Sequence, residues 1–259
     1  MTESSALIAR LRSVAVDGAS AQADLRPASA WLESGFVPAQ FHELYACDQG
    51  DAASGAGFAI ALAMAAGALP MVWIRTEACE RQAGRLYASG LAELGLDADR
   101  IVVVVVADEA ALLRAAADAA RCTGLGTLLI EAWGRAPGID LTATRRLMLA
   151  AEASGVTVLS LRVGAEPSPS AAASRWGVAS VASAALEAGA PGLPAFDIEL
   201  LRRRGGPPGA RWRVEWNRDA KCFVPLVGAE RAALPGAGLS VAAGRAVARH
   251  PAAPVRRAG

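Results

Sequence analysis

Short apolar runs rich in β-branched residues recur along the middle of the chain, at His42–Cys47, Met71–Arg75, Ile101–Val106, Thr127–Glu131 and Val156–Arg162. Between them lie Ser54–Ala66, Cys79–Leu94, Glu109–Cys122 and Thr142–Ser154, which are rich in Ala, Leu and Arg and carry apolar residues at helical spacing. Strand-length runs alternating with helix-length amphipathic stretches predict consecutive βαβ units, and so a mostly parallel sheet flanked by helices. The five valines of Val102–Val106 predict a central strand buried on both faces.

The pattern changes at both ends. Ser5–Val16 places Leu7, Ile8, Leu11 and Val14 on one helical face, ahead of a polar connection through Gly18–Asp24. Packing on its own domain and docking on another subunit are both open for this helix. Beyond Gly164 the run Ala165-Glu166-Pro167-Ser168-Pro169-Ser170 predicts a loop, and the alternating segments Phe196–Arg203 and Arg211–Trp216 flank the turn signal Gly205-Gly206-Pro207-Pro208-Gly209. That is a hairpin, with a third short strand expected at Cys222–Leu226. From Gly228 the composition is Ala, Gly, Pro and Arg without strand or sustained helix patterning, as expected of a flexible tail. The expected organisation is an N-terminal helix and linker over 1–35, a core with its C-terminal hairpin over 36–227, and a basic tail over 228–259.

With 259 residues and 53% apolar composition, the chain can bury one substantial core. No apolar run reaches the roughly 18 residues that a membrane span needs. The N-terminus, with Glu3 and no basic region before an apolar one, does not read as a signal peptide, so a cytoplasmic location is expected and no membrane partner. Cys47, Cys79, Cys122 and Cys222 form no C-x-x-C pair, and His42 and His250 sit near opposite ends, which argues against a metal site or a disulfide framework. The net charge of +1 hides an asymmetry: residues 201–259 hold twelve Arg/Lys against three Asp/Glu, whereas residues 1–200 hold fourteen against twenty-two. The C-terminal part is the basic end, suited to nucleic acid or an acidic partner.

One stretch carries candidate chemistry. Gly50-Asp51-Ala52-Ala53-Ser54-Gly55-Ala56-Gly57 has the glycine spacing of a phosphate-binding P-loop and lies between an expected strand and an expected apolar helix. Spacing alone is weak in a chain with 26 glycines. The Lys that reaches the β- and γ-phosphates and the hydroxyl that holds Mg²⁺ are replaced by Ala56 and Gly57. Asp51 adds a negative charge inside the loop, and losing the charge-assisted lysine contact costs about 1.5–3 kcal/mol. Glu131, at the end of an apolar strand, stands where nucleotide hydrolases place an acid beside Mg²⁺, and Glu77 is a second carboxylate past the second strand. Gly50, Asp51, Ser54, Gly55, Ala56, Gly57, Glu77 and Glu131 therefore outline a vestigial nucleotide pocket, with no catalytic residue and no cofactor expected. Arg75 and Arg81 are the cations that could compensate from outside. There is no G-x-S-x-G, and Ile60 replaces the third glycine of a dinucleotide site.

Several segments in order resemble the ImuA family of accessory proteins in bacterial DNA-damage-induced mutagenesis. They are His42-Glu43-Leu44-Tyr45, Gly50-Asp51-Ala52-Ala53, Gly84-Arg85-Leu86-Tyr87 through Gly90-Leu91-Ala92, and Asp140-Leu141-Thr142-Ala143-Thr144-Arg145-Arg146-Leu147. Pro169–Trp176 and Glu199–Pro207 continue the series, so that the likeness runs from about residue 36 to 226. The resemblance implies a RecA-like core without recombinase ATPase activity. It implies support of translesion synthesis together with ImuB, a Y-family polymerase homologue, and an error-prone C-family polymerase. In RecA-like proteins the segments after the fourth and fifth strands face DNA, here Trp133–Asp140 and Gly164–Ser174. The first holds Arg135, whereas the second has no basic residue before Arg175 just beyond it.

Arg175, Arg202, Arg203, Arg204, Arg211 and Arg213 are the candidates for partner or DNA binding, because they lie near Trp176, Trp212 and Trp216 and Arg with aromatics can hold single strands. Trp212 and Trp216, four apart on a strand, point to one face and are expected in the core. The leading expectation is a non-catalytic RecA-like scaffold that binds a polymerase partner and possibly DNA, with self-association open. Two alternatives stand beside it: an unorthodox ATPase using Glu77, Glu131 and a neighbouring subunit's arginine, and a cell-division inhibitor resembling SulA.

Overall fold

The computed structural model describes residues 35–226 apart from 185, 188, 189 and 191. The helix expected at Ser5–Val16 and the tail expected over 228–259 lie outside the described residues. Among the described residues nine strands form: β1 (Phe41–Ala46), β2 (Met71–Thr76), β3 (Ile101–Val106), β4 (Thr127–Trp133), β5 (Thr157–Val163), β6 (Ser174–Ser180), β7 (Ala195–Arg203), β8 (Arg211–Asn217) and β9 (Cys222–Pro225). The helices between the first five are α1 (Ala52–Ala65), α2 (Glu77–Ala83), α3 (Ala88–Glu93), α4 (Glu109–Ala119) and α5 (Leu141–Ser154). One sheet holds every strand in the order β3-β2-β4-β5-β1-β6-β7-β8-β9. Pairing is parallel from β3 to β6 and antiparallel from β6 to β9. It is an α/β fold with a mostly parallel sheet flanked by helices, and the expected hairpin is β7–β8.

Each face of the sheet buries a different set of side chains, as the alternation along a strand requires. On one face Phe41, Val72, Ile74, Leu128, Ile130 and Val158 pack with Leu112 and Ala116 of α4 and Leu147 and Ala151 of α5. On the other, Leu44, Trp73, Leu129, Leu159 and Leu161 pack against α1. That helix is buried continuously from Gly57 to Met64, and a helix apolar all round needs cover on every side. The antiparallel strands supply it. Phe58 of α1 meets Phe196 of β7 at 5.7 Å and Phe223 of β9 at 5.4 Å between ring centroids. Trp216 of β8 has no exposed surface and donates its Nε1–H to Leu94 O at 2.8 Å, joining the far end of the sheet to the segment after α3. Trp212 packs against the same core, so the two tryptophans share the expected inward face.

Two expectations are corrected, and one strand is added. The valine run forms β3, which is the edge strand and not a central one: Val103 is 41% and Val105 39% exposed, while Val104 and Val106 pack toward α4. Consecutive valines suit any strand with one covered face, so the run fixes strand character without fixing position in the sheet. The single helix expected over Cys79–Leu94 is two, because Gly84 takes φ +80° and ends α2. Strand β6 is an element that the expected strand runs do not include, with Trp176 and Val178 alternating into the core. It is held by parallel pairing to β1 and by buried polar contacts of Ser174 and Arg175.

Candidate functional site

Ligands of open α/β sheets bind beyond the carboxyl ends of the parallel strands, so the connections after β1, β4 and β5 define the site. After β1 come Cys47 and Asp48, then a 3₁₀ turn over Gln49–Asp51 that runs directly into α1 at Ala52. Asp48 Oδ1 accepts from the Gly50 amide at 2.9 Å and closes the turn. Ser54, Gly55, Ala56 and Gly57 are thus within the helix and not in a loop. Beyond the first helical turn the amides are taken up by backbone carbonyls, so those of Ala56 and Gly57 are not presented to an anion. Gly55 is a packing glycine: a Cβ there would stand 2.8 Å from Leu161 Cδ1 and 3.3 Å from Ala46 Cβ.

The charge at this strand end is negative. Asp51 sits at the amino end of α1, where its Oδ1 accepts from the Ser180 amide at 2.8 Å and from the Ser180 hydroxyl at 2.7 Å. Partial burial, together with the charges of Glu166, Asp51 and Glu199, pushes the Cys47 thiol up. A helix amino end favours an anion, and here a carboxylate of the chain itself already lies there.

The two carboxylates of the expected pocket go elsewhere. Glu131 is 3% exposed and pairs with Arg75, its register partner on β2, at 3.1 Å. Its Oε1 also accepts from Trp133 Nε1 at 2.6 Å, and its Oε2 from Trp73 Nε1 at 2.9 Å. Arg75 in turn donates to Gly84 O at 3.0 Å, so the cluster also anchors the end of α2. Glu77 is exposed at the start of α2 and meets Arg81 at 3.5 Å. The residues present do not fit a magnesium-bound triphosphate: the loop is helical, its amino end carries Asp51, and Glu131 is committed to three donors. Restoring the missing groups as Ala56→Lys with Gly57→Thr is therefore expected to give no saturable binding of ATP by calorimetry, and saturable binding would show that the loop can reform.

The arginines divide into internal and exposed groups. Arg175 is 9% exposed and binds Glu43 Oε2 through Nε at 2.9 Å, with further bonds to Ser170 Oγ at 3.2 Å and to Ser168 O. Its guanidinium also lies 5.3 Å from the centroid of the Tyr45 ring. Arg202 donates to Ser170 O and Ala172 O, and Arg204 to Ala171 O, so both tie the β5–β6 connection to the hairpin. Arg211 grips Asp197 with bonds of 2.6 and 2.9 Å, and Arg213 adds one of 3.3 Å. Burial pushes the Asp197 carboxyl up, but Arg211 and Arg213 outweigh it and hold the group below the ordinary aspartate range. Arg211 and Arg213 still expose 60% and 48% of their side chains, and with Arg204 they form the accessible basic face of the hairpin. Arg203 is half-buried at the end of β7.

Sequence reasoning missed a polar cluster under the connections after β4 and β5. Glu43, Tyr45, Ser160, Arg162 and Arg175 are all buried, and they share one sheet face through the registers Glu43↔Ser160, Tyr45↔Arg162 and Glu43↔Arg175. Polar residues inside two otherwise apolar strand segments were the signal available. Among the described residues no group of His, Cys, Asp and Glu could hold a metal ion, and no helix is long and apolar enough to cross a membrane.

The fold is that of a RecA-like protein. The crystal structure of the RadB recombinase superposes with a TM-score of 0.50 at 12% identity, covering 75% of this chain and 94% of that one. No family model matches the chain. Over 155 residues it is 37% identical to Protein ImuA of Caulobacter vibrioides, in both strain NA1000 / CB15N and strain ATCC 19089 / CIP 103742 / CB 15. Over that stretch the chain is similar to ImuA. The match takes in 54% of the chain, which spans 57% of the length of these relatives.

Proposed function

We propose that the protein is a non-catalytic RecA-like accessory factor of DNA-damage-induced mutagenesis, acting by contact with a Y-family polymerase homologue of the ImuB kind and, through it, an error-prone C-family polymerase. The observation that carries the non-catalytic part is the β1–α1 connection, wound into helix from Ala52 with Asp51 at its amino end. The mutagenesis role rests on the kinship with ImuA. Contacts are assigned to the exposed side of the β7–β8 hairpin, where Arg204, Arg211 and Arg213 offer positive charge to an acidic partner or to DNA. Arg175 and Arg202 are used internally and support the scaffold.

Co-expression with the polymerase homologue, followed by size measurement and an ATP turnover assay with and without single-stranded DNA, tests this reading. The expected result is a stable complex without turnover. Arg204→Ala, Arg211→Ala and Arg213→Ala together are expected to weaken that complex about tenfold or more, as loss of several charged contacts does at an interface. Unchanged co-purification of this variant removes the hairpin from the reading, and turnover lost in a folded Glu131→Gln protein removes the non-catalytic part.

A further inference from the structure

The segments after β4 and β5 converge on a cavity of about 600 Å³, lined among others by Arg135, Pro137, Ile139, Asp140, Glu166 and Arg162. Arg162 comes from β5 and is 3% exposed. Its Nε and Nη1 have no hydrogen-bond partner, and no carboxylate among the described residues lies within ion-pair distance of it. The other two buried arginines among the described residues differ: Arg75 has Glu131 and Arg175 has Glu43. A guanidinium does not lose its proton on burial, so an unpaired one in the interior calls for a counter-anion.

We infer that this cavity is a binding site for a single carboxylate, presented by a peptide segment as a chain terminus or an acidic side chain, with Arg162 as its anchor. Charge selects carboxylate over phosphate. Arg135 and Arg162 are balanced by Asp140 and Glu166, so a monoanion paired with Arg162 is tolerated, whereas a dianionic phosphate or a nucleic-acid strand meets two further carboxylates. A carboxylate in the cavity meets the guanidinium charge of Arg162, with which no carboxylate of the described chain pairs. Pro137, Ile139, Leu141 and Pro169 give the cavity an apolar wall for the carbon body of the ligand. The site does not depend on the mutagenesis role or on which protein supplies the peptide.

Arginine Nε–H resonances of the ¹⁵N-labelled full chain report on it directly. The probes are sodium propionate, sodium phosphate, and a short N-acetylated peptide with a free carboxylate beside its amidated form. Propionate and the free-acid peptide are expected to shift the Arg162 signal saturably, the amidated peptide to leave it unmoved, and phosphate to bind more weakly. Arg162→Lys assigns the signal by removing it. Because that substitution lies in the core, Glu166→Gln at the exposed rim serves as the second variant, with propionate binding expected to tighten about twofold to fivefold, the range an exposed charge contact is worth. A signal unmoved by any carboxylate, tighter binding of phosphate, or equal response to the amidated peptide overturns the assignment.

Discussion

Glu131→Ala is expected to lower unfolding stability by about 3–5 kcal/mol, because it leaves the Arg75 guanidinium buried without its charge partner. Two indole N–H groups lose their acceptor at the same time, since Trp73 and Trp133 both donate to this carboxylate. Urea denaturation measures the loss, with the midpoint falling and the slope unchanged. Glu131→Gln should fall between: the amide oxygen can still accept from an indole, but the charge facing Arg75 is gone. Pairing Glu131→Leu with Arg75→Met should recover part of the loss, because removing both charges ends the desolvation cost while the indoles stay unpaired. The contrast with catalysis is direct. A catalytic carboxylate replaced by its amide loses turnover with little change in folding, whereas a structural one loses folding stability. A Glu131→Gln protein as stable as the parent would contradict the structural role.

That distinction also shows where the sequence stops being informative. Glu131 at the end of a strand run is legible as a carboxylate near the sheet's ligand-binding edge, and the run and the strand both begin at Thr127. What it touches depends on Arg75 and Trp73, which lie more than fifty residues away and meet it only through the parallel pairing of β2 with β4. Local pattern sets the elements, because alternation, helical spacing and Gly84 act over a few residues. Sheet order does not follow from it, which is why the valines of β3 read as central and lie at the edge. The glycines of Gly50–Gly57 are the same lesson in reverse. Their spacing is that of a phosphate loop, yet Gly55 is required by the approach of Leu161 and Ala46. Arg162 reads only as the last residue of a strand run, since a missing partner cannot be read from one segment.

Acidification is expected to destabilise the fold through His42, whose imidazole has no exposed surface. Its Nε2–H donates to Val37 O at 2.7 Å, so Nδ1 is left as acceptor for the Ser174 hydroxyl, also at 2.7 Å. Ser174 Oγ in turn accepts from Trp176 Nε1 at 2.8 Å, and a neutral ring leaves each ring nitrogen of His42 with a partner. Burial lowers the pKa from 6.5 to about 4, although the bond to Val37 opposes the shift. Above pH 6.5 the ring is neutral both folded and unfolded, and the stability is at its full value. As the pH falls from 6.5 toward 4 the unfolded chain takes up a proton that the folded one refuses, so stability drops. Below about 4 the folded ring protonates as well and the loss levels off near 3 kcal/mol. Asp197 acts in a lower window, where protonation removes its hold on Arg211 and Arg213. His42→Gln supplies an amide donor and acceptor in place of the ring and cannot titrate. Whatever its stability at neutral pH, its profile between pH 6.5 and 4 should be flatter than the parent's by that amount, and equal slopes would show that His42 does not govern the acid limb.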